Sequence, residues 1–124
     1  MNHKTGFITK TINGEVRCFH FSINAWILFC ELHKIAGVGI PDAKGKKGIS
    51  ELGEFLSDSK NQLIASRDLL YCAALAHCRE NGIEENFNRY TAGIWYDSLT
   101  VKDYQDIESV MMECSFLQGG KKKR

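Results

Sequence analysis

No apolar run in this sequence approaches the roughly 18–20 residues that a membrane-spanning helix needs. The opening stretch, MNHKTGFITK, also lacks the apolar segment of a secretory signal. Neither sign of charge dominates. Sixteen Lys and Arg stand against 15 Asp and Glu, a net charge of +1, which excludes a surface that grips nucleic acid everywhere. The five cysteines, Cys18, Cys30, Cys72, Cys78 and Cys114, are odd in number and show none of the spacing of a disulfide scaffold, so free thiols in a reducing cytoplasm are expected. Proline occurs once, at Pro41, amid Gly37, Gly39, Gly45, Gly48 and the lysines 44, 46 and 47. That stretch is the main break in the chain. It reads as an exposed loop rather than a linker, because neither flank is large enough to hold a core of its own.

Apolar residues make up 44% of the 124 positions and charged residues 25%, the composition of an ordinary globular domain. The clearest local signal is GFITKTINGEVRCFHF. Asn13-Gly14 suits a two-residue hairpin turn, which pairs Ile12 with Glu15, Thr11 with Val16, Lys10 with Arg17 and Thr9 with Cys18. Lys10 opposite Arg17 marks the wetter face, leaving Phe7, Val16 and Cys18 to look inward. A hairpin alone is marginal in water, so it must lean on helices.

Five helical patterns follow. In FSINAWILFCELHKIAG, Ser22 or Asn24 can cap a helix whose stripe runs through Ala25, Leu28, Phe29, Leu32, Ile35 and Ala36, with Gly37 as the stop. Trp26, Ile27 and Cys30 occupy its other side, so this helix is buried twice over, by its own domain or by a partner. ISELGEFLS is short. NQLIASRDLLYCAALAHCRENG is the central helix, apolar all round from Leu69 to Ala76 and closed by Asn81-Gly82. FNRYTAGIWYDS should turn Tyr90, Ile94 and Trp95 inward. The last helix opens on Thr100 and Asp103, which form a capping box with Leu99 and Tyr104 at staple positions. Its stripe is Ile107, Val110, Met111, Cys114 and Leu117. The expected fold is α+β, mainly α: an N-terminal hairpin (6–21) packed on a bundle of about five helices (within 24–117). One domain spans 1–118, and 119–124 form a disordered basic tail.

Chemistry is harder to find. Cys30 with His33, and His77 with Cys78, could supply four zinc ligands, but the spacing matches no zinc knuckle. Cys18 and His20 share a strand face without a third orienting residue or an oxyanion hole. GIPDAKGKKG departs from the phosphate-loop pattern in spacing and in the final hydroxyl. Glu84-Glu85 and Asp103/Asp106 read as surface and helix-start charges. No catalytic, metal or cofactor residues are therefore assigned. The loop at 44–47 and the tail of Lys121, Lys122, Lys123 and Arg124 offer cations without an aromatic platform or a recognition helix. What stands out is apolar excess on helices, at Trp26, Ile27, Trp95 and Met111-Met112, which favours a protein-binding or oligomerising module.

The succession INGEVRCFHFSINAW, SRDLLYCAALAH and YDSLTVKDYQDIESVM resembles the tail assembly chaperones of long-tailed bacteriophages over roughly residues 10–117. The resemblance implies a non-enzymatic role. Such proteins coat the tape measure protein and help the tail tube protein polymerise around it, as homo-oligomers in the host cytoplasm, and they are absent from the mature virion. Trp26, Ile27 and Cys30 are then the expected partner-facing patch. The family also implies a longer form made by a programmed frameshift, and Gly119-Gly120-Lys121 can be encoded by a slippery heptamer. The alternative is a small nucleic-acid-associated protein that uses the Lys-rich loop and the basic tail.

Overall fold

The structure, a computed structural model, describes residues 5–35 and 47–113, with the backbone alone at 47–51. Strands β1 (Phe7–Ile12) and β2 (Glu15–His20) are followed by helices α1 (Ile23–His33) and α2 (Lys47–Ser57). A single 3₁₀ turn (Ser59–Asn61) leads into α3 (Gln62–Asn81), and α4 (Arg89–Ser98) and α5 (Val101–Met111) complete the order. This is the expected mainly helical α+β architecture. Side chains from both strands and all five helices join one hydrophobic cluster. The 20-residue α3 runs through its middle and packs against α1, β2, α4 and α2.

The hairpin turn forms because Asn13 and Gly14 both adopt positive φ, 53° and 81°, which matches the twist of the strands they join. The observed register is the expected one, with Lys10 opposite Arg17 and Thr9 opposite Cys18. The face is reversed. Ile12 and Phe19 are buried with Ile8 packed beside them, whereas Val16 is 65% exposed and Phe7 and Cys18 are only half-buried. Two cations are tolerated on the inner face because each meets a partner there. Lys10 Nζ reaches Asp106 Oδ2 at 2.7 Å and Asp103 Oδ1 at 3.2 Å. Arg17 bonds Glu15 at 2.6 Å and lies 5.0 Å above the centre of the Trp95 ring.

Gly6 closes the hairpin onto the rest of the chain. Its carbonyl accepts from Phe21 N–H at 2.7 Å, and its own N–H donates to Glu113 Oε1 at 2.8 Å. At φ 77°, a Cβ there would lie 2.6 Å from the Phe21 carbonyl oxygen, closer than carbon and oxygen can approach. Gly6→Ala is expected to destabilise the fold by about 1–3 kcal/mol, read as a lower urea midpoint. An unchanged midpoint would show that this close approach is dispensable.

Ser22 caps α1, accepting from Ala25 N–H. The helix stops earlier than expected, because Lys34 takes the left-handed conformation (φ 59°) and Ile35 N–H closes on the Cys30 carbonyl at 2.8 Å. This Schellman-type end folds Ile35 back onto the core. Ala36, Gly37 and the glycine- and lysine-rich stretch up to residue 46 lie outside the described residues. α3 ends as expected on Gly82 (φ 67°).

α4 is rotated from its expected phase. Asn88 and Thr91 form a capping box that starts the helix at Arg89, and the inward stripe is Ala92, Trp95, Tyr96 and Leu99. Tyr90 (80% exposed) and Ile94 (57%) point to solvent, correcting their assignment to the core. The Thr100–Asp103 capping box opens α5 as expected. Ile107 is buried, Val110 and Met111 pack beside it, and Cys114, Leu117 and the tail lie outside the described residues.

Candidate functional site

The one buried charge among the described residues is Asp68, on the inner face of α3 and fully shielded from solvent. Its carboxylate accepts hydrogen bonds from His33 Nε2 (2.8 Å), Arg67 Nε (2.8 Å) and Arg89 Nη2 (2.9 Å). Three helices therefore meet on one side chain: the end of α1, the middle of α3 and the start of α4. α2 joins through Phe55, whose ring lies 4.8 Å from that of His33, while Phe29 lies 4.7 Å away on α1. Burial pushes the Asp68 carboxyl up, but the bonds from Arg89 and Arg67 outweigh it and hold the group below the usual carboxylate range. Donors from three helices of the same chain make this carboxylate a structural tie.

A second tie joins the start of α1 to the end of α3. Glu80 accepts from Ser22 Oγ (2.6 Å), Asn24 Nδ2 (2.8 Å) and His20 Nδ1 (2.6 Å). Burial again raises this carboxyl, and the three bonds more than offset it, so it too ends below its ordinary value.

The residues assigned to a partner surface separate. Trp26 has no exposed surface and Cys30 is 4% exposed, and both belong to the central cluster. α1 is covered on its second side by its own domain, so these two side chains cannot be a contact patch of the folded chain. Ile27, 38% exposed, is the member of the trio that reaches the surface. Lys121, Lys122, Lys123 and Arg124 lie outside the described residues. Of the zinc candidates, His33 is engaged with Asp68, and among the described residues no three His, Cys, Asp or Glu side chains converge as metal ligands. No described helix is long and apolar enough to cross a membrane.

A groove of about 530 Å³, with α3 on one side and α5 on the other, offers a surface to another molecule. α5 packs on β1, where Asp103 and Asp106 meet Lys10, and it touches α3 through the Tyr104 hydroxyl, 3.4 Å from Ser66 Oγ. Phe21 and Leu70 contribute at its base, and Leu63, Tyr96, Tyr104, Met111 and Met112 line it. Leu63 is 72% exposed and Met112 50%. The Tyr96 and Tyr104 rings meet edge to face at 5.7 Å. Ser66, Gln62 and Glu108 add a polar margin. The Met111-Met112 pair was visible in the sequence. Leu63 was not, because an isolated leucine in NQLIAS carries no sign of which helix face will stay open.

Fold and groove together define a small, mainly helical α+β domain with an open apolar cleft. Set against protein-family models, curated proteins and solved structures, the chain matches none.

Proposed function

We propose that this chain is a tail assembly chaperone of a long-tailed phage, and that its α3–α5 groove holds an amphipathic helix of the tape measure protein. The groove carries this reading. It combines exposed leucine, tyrosine and methionine walls with a polar margin, the chemistry that receives a helix with apolar residues on one face. Adjacent methionines adapt to differing side chains, which suits a client presenting many similar helical stretches. The order of elements, from the Asn-Gly hairpin to the Thr100-capped last helix, supports the family resemblance. Assistance to tail tube polymerisation, self-association and action in the host cytoplasm belong to the same proposal, as does the absence of catalysis.

The test is co-purification with a helical tape measure fragment. Leu63→Glu together with Met112→Glu changes two exposed side chains and should leave the melting temperature nearly unchanged. Binding should weaken by at least about tenfold, since a central apolar anchor contributes about 1–3 kcal/mol. Undiminished capture by the folded double variant would remove the groove from the interaction.

A further inference from the structure

A second cavity, of about 240 Å³, lies where β2 meets the last turns of α3 and the segment after it, with Trp95 of α4 on its wall. Two cysteines line it, Cys18 from β2 and Cys78 from α3. Neither belongs to the groove or to the Asp68 and Glu80 ties.

Their juxtaposition is fixed by contacts on both flanks. One residue before Cys18, Arg17 Nη1 donates to Asn86 Oδ1 at 3.0 Å. Two residues after it, His20 Nδ1 meets Glu80 Oε1 at 2.6 Å. Phe7, the cross-strand partner of His20, lays its ring 5.5 Å from that of His77. Strand residues 17–20 therefore run alongside residues 77–86. Side chains at 18 and 20 leave a strand on the same face, so Cys18 faces the helix end that His20 grips. Cys78, two residues before Glu80, faces the same cavity. Burial pushes the Cys78 thiol up, negative charge on Glu85 and then on Cys18 adds to the push, and so the Cys18 sulfur lies within electrostatic reach of Cys78.

We propose that Cys18 and Cys78 are a redox-active dithiol, closed by hydrogen peroxide into an intramolecular disulfide that staples β2 to the end of α3. Cys18 is the half-buried member and Cys78 the buried one, which sets the order of events. The Cys18 thiolate attacks one peroxide oxygen and the O–O bond breaks. The departing hydroxide takes up a proton, giving a Cys18 sulfenic acid and one water. The Thr9 hydroxyl, 3.8 Å from the Cys18 sulfur, is placed to donate to the attacking thiolate. Cys78 then gives up its proton and attacks the Cys18 sulfur. The S–S bond forms, the S–O bond breaks, and the hydroxyl leaves as a second water. Two thiols lose two electrons, and peroxide becomes two waters. Both side chains line the cavity, which gives them room to turn towards each other. Cys30 and Cys72 provide an internal contrast: neither lines this cavity or the groove, and burial pushes their thiols to about 11 and about 12. They should stay reduced under the same treatment.

The experiment treats the full, folded chain with hydrogen peroxide, blocks remaining thiols with iodoacetamide and maps peptides without reduction. The expected product is a monomer in which the Cys18 and Cys78 peptides are joined, with both alkylation sites lost and both restored by dithiothreitol. In Cys78→Ser the link should vanish and Cys18 should accumulate as a sulfenic acid trapped by dimedone. Should that variant fail to fold, the map of the unmodified protein decides alone. Full alkylation of both residues after peroxide would overturn the proposal, as would links from Cys18 only to another cysteine or to a second molecule.

Discussion

Replacing Asp68 by asparagine is expected to destabilise the fold by about 3 kcal/mol at neutral pH. Removing one partner from a buried ionic cluster usually costs about 3–5 kcal/mol, because the remaining charges keep their desolvation without their counter-ion. The low end applies here. The Arg67 and Arg89 side chains keep 29% and 42% of their exposure and can turn towards water, whereas His33, at 12%, cannot. Asparagine would also point an amide N–H₂ at donors, so one carboxylate contact becomes a clash of like polarity. Urea unfolding measures the loss, and its pH dependence identifies the cause. The folded-state pKa of Asp68 lies below its ordinary value. Its contribution is therefore complete above the unfolded carboxyl pKa of about 3.9 and fades as pH falls through the folded value. The gap between the natural chain and Asp68→Asn should be widest near neutrality and narrow below about pH 4. Glu80, also held low, should add to the acid lability of both proteins equally. A gap that stays constant down to pH 3 would mean that the asparagine acts by shape, not by charge.

Asp68 also shows where local reading ends. In SRDLLYCAALAH an aspartate beside an arginine looks like a solvated helix face. Its burial depends on His33 and Arg89, 35 and 21 positions away, and nothing in a window of one helix announces them. A signal was present all the same. Ala65, Asp68, Leu69 and Cys72 fall on one helical stripe, so an acid occupies a position where the pattern demands an apolar residue. The hairpin follows the same logic. Its register is local, set by two residues able to adopt positive φ, and the sequence reveals it. Its facing depends on Asp103 and Asp106, more than ninety positions from Lys10, which allow a lysine inside. α4 differs again. Its start is set by the Asn88–Thr91 box, and the packing of Trp95 against Phe19 and Phe87 fixes which face turns inward. The groove was the least legible feature, since it is a gap between α3 and α5, and gaps have no sequence signature.

Trp26→Ala is expected to destabilise the chain by about 3–5 kcal/mol, the usual loss for emptying a fully buried indole site. Trp26→Asp should be more severe, because it adds an unpaired buried charge to the cavity. The indole has no exposed surface and packs edge to face against Phe29 at 6.2 Å, inside the cluster that every element shares. Against a total stability of about 5–15 kcal/mol for a domain of this size, the aspartate variant should be largely unfolded at 37 °C by circular dichroism. The consequence for binding experiments is direct. Loss of partner capture by a Trp26 or Cys30 variant would follow from unfolding whatever the partner touches, so neither residue can map an interface. Ile27 can. Its side chain is 38% exposed at the middle of α1, and Ile27→Asp should change stability by less than about 1 kcal/mol. If that variant, still folded, loses the tape measure fragment while Leu63→Glu/Met112→Glu keeps it, the contact face is the outer side of α1 and the groove assignment is wrong. If the reverse holds, α1 is a core helix whose apolar excess serves the fold alone. A soluble Trp26→Asp protein that melts with the natural chain would put the indole outside the core and overturn the packing described for α1.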